Sequence, residues 1–472
     1  MSGRAGERAV VLGGSMAGLC AARVLAEHHH DVQVLDRDDL EVGGRRRGVP
    51  QAAHNHALLP RGRQLLEELF PGLTAELIAD GVPHGDLLGD ARIHLSGHEL
   101  RRGPSGLLTL SMSRTCLEDR VRARVRALPN VAFASPCDVV GLITSTDRRR
   151  VTGVRILRRA DGSAEEVVPA DLVVDAMGRG TRVPVWLEEL GYEPPHEERI
   201  AVDVRYATRR YRLGADTLGG DWGTLQGPTP HRPRGGAVAR IEGDRWIVTL
   251  FGMLGEHPPT DPGGFVRFAG SLPVPDIHTA IQHGEPLDDP VPFRFPASVR
   301  RRYERLRALP DGLVPLGDSV CCLNPVYGQG MTVAAAGAVR LRAHLREATP
   351  SPRRFVTALA RDVDAAWDMV LGGDLALPGV NGPRSLRTRL AGAYVTRLHA
   401  AAERDVSLAT AFARVMSLID PPEALMRPRV ALRVLGPRAG GRRDAARDRP
   451  TASSPVAAGT APRHDADPRE ET

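Results

Sequence analysis

The stretch Val10-Val11-Leu12-Gly13-Gly14-Ser15-Met16-Ala17-Gly18-Leu19 decides the fold, and Asp36 ends the next apolar segment, Val32-Gln33-Val34-Leu35. The apolar, β-branched residues before Gly13 predict a strand, and the residues after the glycines predict a helix. Residues 31–36 predict a second strand. A strand, a crossover helix and a second strand of this length form a β-α-β unit, which is the nucleus of a parallel sheet.

The spacing of small residues in this turn predicts a dinucleotide site. Gly13, Ser15 and Gly18 occupy the glycine positions of the fingerprint, with serine in the middle position. Gly13 permits the tight turn, Ser15 lets the backbone approach a pyrophosphate, and Gly18 lets the helix pack on the strand. The phosphates would lie at the helix N-terminus, and Asp36 would accept the ribose hydroxyls. The alternative is a glycine-rich turn in an unrelated α/β domain.

A second glycine-rich segment follows about 300 residues downstream, where Leu316-Gly317-Asp318-Ser319 precedes Asn324-Pro325-Val326-Tyr327-Gly328-Gln329-Gly330-Met331. A buried strand is predicted at 313–317, and open α/β sheets bind ligands at the carboxyl ends of such strands. Asp318 would accept hydrogen bonds from a ribityl chain. The proline and glycines after it would let bare backbone approach a flavin, whose negative charge the helix at 328–347 would stabilise. Together the two segments predict FAD.

Arg114 begins a predicted helix, 114–127, after the strand-like residues 107–112. An arginine there would reach a cofactor phosphate or the edge of the flavin ring. The alternative is a surface arginine at a helix start.

Composition excludes several classes of protein. The chain has 472 residues, a net charge of +6 and 25% charged residues, and its arginines are scattered among acids, so we expect no nucleic-acid partner. The sequence contains no run of about 18 apolar residues, so we expect no transmembrane segment. Five cysteines without CxxC spacing or a signal peptide predict reduced thiols in a cytoplasmic protein. No cluster of cysteines or carboxylates accompanies the histidines, so we expect no metal site.

The expected architecture is α/β, of an α+β two-domain type, in which a Rossmann-like FAD-binding domain is interleaved with an antiparallel-sheet substrate domain and followed by C-terminal helices. Residues 61–81 are predicted as one helix. The predicted segments are 1–190 (FAD-binding domain, first part), 191–300 (substrate domain), 301–350 (FAD-binding domain, return segment), 351–436 (C-terminal helices) and 437–472 (disordered tail). The arginine-rich apolar stretch at 430–435 either packs on the catalytic body or makes a weak peripheral contact with a membrane surface.

At this point the sequence resembles a known family, the single-component FAD-dependent monooxygenases of the aromatic-hydroxylase superfamily. Within that superfamily it is most similar to the epoxidase branch that acts on polyene and polyketide-type substrates, and more distantly to squalene epoxidase. The motifs that carry the resemblance are Gly-Gly-Ser-Met-Ala-Gly at 13–18, Arg-Gly-Val-Pro-Gln at 47–51 followed by His54 and His56, Asp-Ala-Met-Gly-Arg-Gly-Thr-Arg at 175–182, Glu-Gly-Asp-Arg-Trp at 242–246, Phe-Pro-Ala-Ser at 295–298, and the segment 317–331.

The resemblance implies that one oxygen atom of O2 passes to a hydrophobic small molecule through a flavin C4a-hydroperoxide, by epoxidation or hydroxylation. It also implies that Arg47 and Gln51 line the flavin. NAD(P)H would supply electrons directly or through a separate reductase. Classical aromatic hydroxylases carry aspartate where this chain has Met177, which puts direct reduction by NAD(P)H in doubt. The cofactor-binding residues predicted from the motifs and the resemblance are Gly13, Ser15, Gly18, Asp36, Arg47, Gln51, Arg114, Gly317, Asp318, Pro325, Gly328, Gln329, Gly330 and Met331.

Several alternatives stay open at this stage. No catalytic residue is certain, and His54 and His56 either approach the flavin or substrate or are ordinary histidines of a loop. An isoprenoid double-bond reductase of the geranylgeranyl-reductase type, an aromatic-ring hydroxylase, and a module that binds FAD only for structure or redox sensing remain alternatives. A halogenase is disfavoured because residues 246–251 read Trp-Ile-Val-Thr-Leu-Phe, without the Trp-x-Trp-x-Ile stretch of those enzymes.

Overall fold

The first element of the fold is the predicted β-α-β unit. The computed structural model describes residues 6–40, 46–160, 162–214 and 216–436. Strand β1 (Gly6–Leu12), helix α1 (Met16–Leu25) and strand β2 (His29–Leu35) follow one another, and the two strands pair in parallel. The apolar end of β1, from Val10 to Leu12, is buried. The unit predicted from sequence is therefore confirmed.

The remaining elements are numbered in chain order within the described ranges. The further strands are β3 (Ala57–Leu58), β4 (His84–Asp86), β5 (Ala91–Leu95), β6 (His98–Glu99), β7 (Leu108–Ser111), β8 (Val131–Ala134), β9 (Cys137–Thr144), β10 (Val151–Arg158), β11 (Glu165–Pro169), β12 (Leu172–Asp175), β13 (Glu197–Arg212), β14 (Gly223–Gln226), β15 (Arg234–Ile241), β16 (Arg245–Gly252), β17 (Glu285–Pro286), β18 (Val291–Arg301), β19 (Leu313–Pro315) and β20 (Cys321–Cys322). The further helices are α2 (Pro60–Leu69), α3 (Leu73–Ala79), α4 (Arg114–Arg126), α5 (Val183–Glu189), α6 (Pro262–Gly270), α7 (Asp276–Ile281), α8 (Gly330–Leu345), α9 (Pro352–Leu375), α10 (Leu386–Ala402), α11 (Val406–Met416) and α12 (Pro428–Leu435). Short 3₁₀ turns lie at Pro50–Ala53, Gly178–Gly180, Tyr303–Arg305, Gly317–Ser319, Pro325–Tyr327 and Pro422–Met426.

A parallel sheet of five strands carries the predicted cofactor motifs. Its order is β19-β12-β1-β2-β8, and each neighbouring pair is parallel. The return strand β19 lies roughly 300 residues after β1 in the chain, which confirms the predicted strand at 313–317. Because the strands are parallel, their carboxyl ends share one edge, where the segments after Leu12, Leu35, Asp175 and Pro315 meet.

A nine-stranded sheet forms the second layer, in the order β20-β18-β13-β16-β15-β14-β5-β6 with β17 paired to β13. The antiparallel pairing predicted for 191–300 is present between β13, β14, β15, β16 and β18. The sheet is larger than predicted, because β5, β6 and β20 come from outside that segment, and β5 pairs in parallel with β14. The domain boundaries at 190, 300, 350 and 436 stay a prediction.

One face of this sheet is covered by α6 and α7, which bury Trp246, Val248, Leu250 and Phe265 together. The opposite face carries Tyr206, Phe251 and Phe295, which belong to the main core of the molecule. The sheet therefore presents an apolar face to the rest of the chain.

The prediction of a single helix over 61–81 is wrong, because the chain forms two helices there, α2 and α3. The break falls at Pro71-Gly72. Proline disfavours helical backbone in the residue before it, and Gly72 adopts φ +85°, a left-handed conformation that glycine reaches without strain.

The predicted C-terminal helices are confirmed as α9 to α12. Helix α9 buries Phe355, Leu359 and Trp367 in the main core, and α10 and α11 pack Leu398 and Phe412 into a second apolar cluster with β5. Among the described helices, none is long and apolar enough to cross a membrane. The predicted disordered tail, 437–472, lies outside the described residues.

Candidate active site

The glycine-rich turn after β1 is a close-packed cradle. Gly13 adopts φ +103°, and a Cβ atom there would lie 2.5 Å from the carbonyl oxygen of Ala176. A Cβ atom at Gly18 would lie 1.7 Å from the carbonyl oxygen of Gly13. No side chain fits at such distances, so both positions require glycine. The backbone of the turn is consequently bare, as a bound pyrophosphate would need.

Ser15, the residue that precedes α1, does not cap the N-terminus of this helix with its side chain. The Ser15 hydroxyl donates instead to Glu118 Oε2 at 2.9 Å and accepts from Arg114 Nη2 at 3.0 Å. The backbone N–H of Gly14 donates to Asp36 Oδ2 at 2.6 Å. The Ser15 side chain therefore does not occupy the positive N-terminal end of α1. A phosphate group could bind there. The residues present therefore fit a dinucleotide.

Arg46 links the two acidic groups at this turn, and the sequence analysis missed it. Its guanidinium donates to Asp36 Oδ2 at 2.6 Å and to the carbonyl of Gly14 at 3.2 Å, and it also pairs with Glu118. Arg47, for which a flavin contact is predicted, is exposed, and Gln51 is half-buried. The flavin contact of Arg47 stays a prediction, whereas its neighbour Arg46 contacts Asp36 and Glu118.

Glu118, the second missed residue, lies on α4 with arginines one helical turn away on both sides. It accepts from Arg114 Nε at 3.1 Å and from Arg122 Nη2 at 2.7 Å. Burial alone would raise the pKa of Glu118, but the charges of Arg114, Arg46 and Arg122 lower it below its ordinary value. The Arg-x-x-x-Glu-x-x-x-Arg pattern of α4 was the available sequence signal, since residues four apart share a helix face.

Gly317 brings the second motif against the first. It adopts φ +64°, and a Cβ atom there would lie 2.7 Å from the Cβ atom of Ala17 on α1. Asp318 follows directly, and a Cβ atom at Gly330 would lie 4.0 Å from Asp318 Oδ1. Burial raises the pKa of Asp318, while the charge of Arg114 opposes that rise. Residues 17, 318 and 330 thus lie at one sheet edge.

Asp175 fixes the third segment of this edge. It is fully buried at the end of β12 and accepts from Met177 N at 3.1 Å, Thr181 Oγ1 at 2.7 Å and Ser319 Oγ at 3.1 Å. The Ser319 hydroxyl in turn accepts from Gly178 N at 3.0 Å. Asp175 therefore ties the loop at 177–181 to the residue after Asp318. Met177 is partly buried against the main core.

The segment before α8 has its predicted glycine geometry, with φ +67° at Gly328. Pro325 is half-buried and Met331 is buried. The side chain of Gln329 turns toward the C-terminal helices, where Nε2 lies 3.2 Å from Met369 Sδ and 3.3 Å from the carbonyl of Met416. The Nε2 group of Gln329 therefore contacts the C-terminal helices, and the cofactor role of Gln329 stays a prediction.

The two candidate histidines occupy different surroundings. His54 is buried against Tyr206 and Phe293 of the large sheet, and its Nδ1 lies 2.7 Å from Thr208 Oγ1. His56 Nδ1 lies 2.9 Å from the carbonyl of His54. Burial and the nearby Arg114 charge lower the pKa of His56 to about 4, so it is neutral at neutral pH. His56 therefore belongs to the cofactor edge and His54 to the wall of the sheet.

A surface cavity of about 380 Å³ lies elsewhere, lined by residues that include His84, Asp90, Trp222 and Arg240. None of the predicted cofactor residues lines it. Its position gives it no part in the site described above.

Comparison with known proteins agrees with this geometry. Residues 11–62 match the NAD(P)-binding Rossmann-like domain family. The fold is similar to a flavoprotein/dehydrogenase from Cytophaga hutchinsonii, with a TM-score of 0.64 at 14% identity over 90% of this chain and 96% of that one.

Sequence relatives extend over most of the chain. Protein Rv3254 of Mycobacterium tuberculosis is 36% identical over 444 residues, which cover 89% of this chain and 92% of that protein. Kynurenine 3-monooxygenase of Salinispora arenicola is 32% identical over 350 residues, or 70% of each chain. The chain belongs to the flavin-dependent monooxygenases. This monooxygenase uses FAD, and NAD(P)H is the electron donor typical of the family.

Proposed function

We propose that this monooxygenase transfers one oxygen atom from O2 to a hydrophobic secondary metabolite of polyketide or polyene type, by epoxidation or hydroxylation. The observation that supports it is the aromatic wall, defined as Tyr206, Phe251 and Phe293, which lie opposite one another on β13, β16 and β18. The ring of Tyr206 lies 6.0 Å from each of the other two rings. In this proposal the wall would bind the apolar surface of a substrate and exclude water, and an alkene needs no protein base.

The residues of the sheet edge have separate tasks in this proposal. The bare backbone at Gly13, Ser15 and Gly18 would hold the pyrophosphate of FAD, with Asp36 on the ribose hydroxyls. Asp318 would accept hydrogen bonds from the ribityl chain, and Arg114 would balance negative charge beside it. The backbone from Pro325 to Gly330 and the N-terminus of α8 would border the flavin ring, where FAD supplies the oxygen chemistry.

Aromatic-ring hydroxylation is the second candidate, because the kynurenine 3-monooxygenase relative is named for such a reaction. A phenol would gain from a proton acceptor within hydrogen-bonding distance of its hydroxyl, whereas an alkene would not. An assay with substrates of both kinds separates the two candidates.

Electron supply is a distinct part of the proposal. Met177, an apolar and partly buried residue, replaces the aspartate of classical aromatic hydroxylases and offers no charge for recognising NAD(P)H. We therefore propose that a partner reductase supplies electrons, or that substrate must bind before NAD(P)H reduces the flavin.

Visible absorption of the purified full chain with FAD, recorded before and after anaerobic NADPH, tests the proposal first. A spectrum that bleaches shows direct reduction, and one that stays yellow supports the reductase or substrate gating. Oxygen uptake and a product with one added oxygen atom would then be sought, with dithionite as the alternative reductant. Reduction of a substrate double bond without oxygen uptake would refute oxygenation.

We also propose a cytoplasmic location, because the five cysteines lack CxxC spacing and suit a reducing compartment.

A weak peripheral membrane contact is supported by α12, on which Leu432 and Leu435 are exposed beside Arg429 and Arg433. Sedimentation with anionic vesicles tests that contact.

A further inference from the structure

A buried carboxyl group at the end of α9 holds the segment Asn324–Gly328, here called the cofactor loop. Asp374 is fully buried, and its Oδ1 accepts from Asn324 Nδ2 at 2.8 Å and from the Tyr327 hydroxyl at 3.1 Å. Asn324 Oδ1 accepts in turn from Val326 N at 3.1 Å. A single carboxyl oxygen therefore ties both ends of the turn to a helix about 50 residues away.

The second oxygen of Asp374 is in a different state. Among the residues that the structure describes, Oδ2 is buried and has no hydrogen-bonding partner. Oδ1 already accepts two hydrogen bonds, which use both of its lone pairs, so a proton on this carboxyl group would sit on Oδ2. Each protonation state therefore has a free-energy cost, because the ionised form buries a charge and the protonated form buries an O–H donor that has no acceptor.

The surroundings of Asp374 explain why these two forms are close in free energy. Burial raises the pKa of Asp374 to about 7, and the hydrogen bonds from Asn324 and Tyr327 oppose that rise. The position near the C-terminal end of α9 adds to the effect, because the negative end of the helix dipole disfavours a carboxylate. Asp374 thus changes its charge near neutral pH.

Among the described residues, the ionisable groups that face Asp374 are two tyrosines. Tyr327 lies on the cofactor loop and Tyr206 on β13, and burial together with the charge of Asp374 raises the pKa of both well above the ordinary value. Arg384 donates to the carbonyls of Leu375 and Leu377 at the end of α9, and His54 packs on the Tyr206 ring. Both tyrosines stay neutral near pH 7, so Asp374 is the member of this group that titrates there.

The hydrogen bonds and the ionisation are linked. Donors on the cofactor loop favour the ionised carboxylate, so by reciprocity the ionised carboxylate binds those donors more tightly than the protonated group does. Hydrogen bonds to a charged acceptor are about twice as strong as neutral ones. Protonation of Asp374 consequently loosens the loop at both of its ends.

We propose that Asp374 is a positioning residue for FAD: its ionised form clamps the cofactor loop, and its protonated form releases it, so that FAD is held more tightly as the carboxyl group loses its proton. The proposal rests on the proposed function only in the assumption that the cofactor loop borders the flavin. It assigns the task to a residue on a helix that follows the return segment of the FAD-binding domain.

The test is the dissociation constant of FAD from the full-length protein between pH 5.5 and 8.5, measured by the fluorescence of released FAD at equilibrium. For the wild type we expect the dissociation constant to fall by about tenfold between pH 5.5 and pH 8.5. A hydrogen bond that strengthens when its acceptor becomes charged changes a binding free energy by about the amount that corresponds to this factor. Asp374→Asn keeps an acceptor for Asn324 and Tyr327 but cannot ionise. It should bind FAD weakly and lack this pH dependence.

Asp368→Asn is the matched control, because Asp368 lies on the same helix, also has a pKa raised by burial, and faces Arg302 and Asp364 instead. It should keep the wild-type profile. Tyr327→Phe removes one donor and leaves the carboxyl group, so it should reduce the slope, and it serves as the test if Asp374→Asn does not fold. An Asp374→Asn profile that follows the wild type would overturn the proposal, as would loss of the profile in Asp368→Asn. Oxidised FAD suffices for this measurement, so a protein that shows the profile but oxygenates nothing would refute only the proposed function.

Discussion

The substitution Glu118→Gln tests whether the cofactor edge depends on one buried negative charge. Glu118 contacts Arg46, Arg114 and Arg122, and its side chain is only 4% exposed. Removing one partner of a buried ion pair costs about 3–5 kcal/mol. Glutamine keeps an oxygen acceptor, and Arg46 keeps its contact with Asp36, so we expect a loss near the lower limit, about 3 kcal/mol of unfolding free energy.

Denaturant unfolding at pH 7.5, followed by circular dichroism, measures this loss, and flavin absorbance after desalting measures retention of FAD. Glu76→Gln is the control, because Glu76 pairs with Arg120 and Arg124 of the same helix but is 30% exposed. Exposed pairs contribute about 0–1 kcal/mol. The lowered pKa of Glu118 means that its stabilisation is present above the ordinary glutamate pKa and is lost as the pH falls through the lowered value. Equal costs for the two variants at pH 7.5 would refute the reasoning.

Four further predictions concern the cofactor site, the C-terminal tail and Asp374. Gly18→Ala should purify without flavin, as judged by absorbance, because its Cβ would lie 1.7 Å from the carbonyl oxygen of Gly13. Asp318→Ala should also lose FAD, and a normal flavin spectrum in that variant would show that Asp318 does not hold the cofactor. Deletion of residues 440–472 should leave oxygen uptake unchanged, and a large loss would contradict the prediction of a passive tail. Because burial raises the pKa of Asp374 to about 7, its ionisation lowers the stability of the fold progressively as the pH rises from the ordinary aspartate pKa to about 7, and this cost stays constant above that pH. The melting temperature of FAD-free Asp374→Asn, measured relative to the wild type by calorimetry, should therefore be more favourable at pH 8.5 than at pH 5.5.

The glycine motifs could be predicted from sequence because local backbone geometry dictates their residue type. Gly13 and Gly328 adopt positive φ angles, and Gly18 admits no Cβ, so the chemistry of each position is visible in a single letter. Alternation of apolar residues likewise predicted the central strands of the large sheet, since period-two patterns report burial on one face.

Other features depend on tertiary contacts that leave no local pattern. A run of arginines does not reveal that Arg46 is the partner of Asp36 and Glu118 while its neighbour Arg47 is exposed. Strands β5 and β6 are short and form a local hairpin, and they join the sheet only through the pairing of β5 with the distant strand β14, so their membership in the sheet was missed. Asp374 lies in an ordinary helix, and only the fold places it beside Asn324.

The strand order of the parallel sheet has a consequence for synthesis of the chain. Strand β1 lies between β2 and β12, and β19 joins the edge only after roughly 300 more residues have been made. At about 5–20 residues per second, the ribosome needs roughly 15–60 s to supply that strand. Strand β12 covers the free edge of β1 partway through this interval and then keeps its own outer edge unpaired until β19 forms. The edge that carries both glycine-rich segments is therefore complete only after β19 and the segment behind it have been made, so FAD can be bound fully only from that point of synthesis onward.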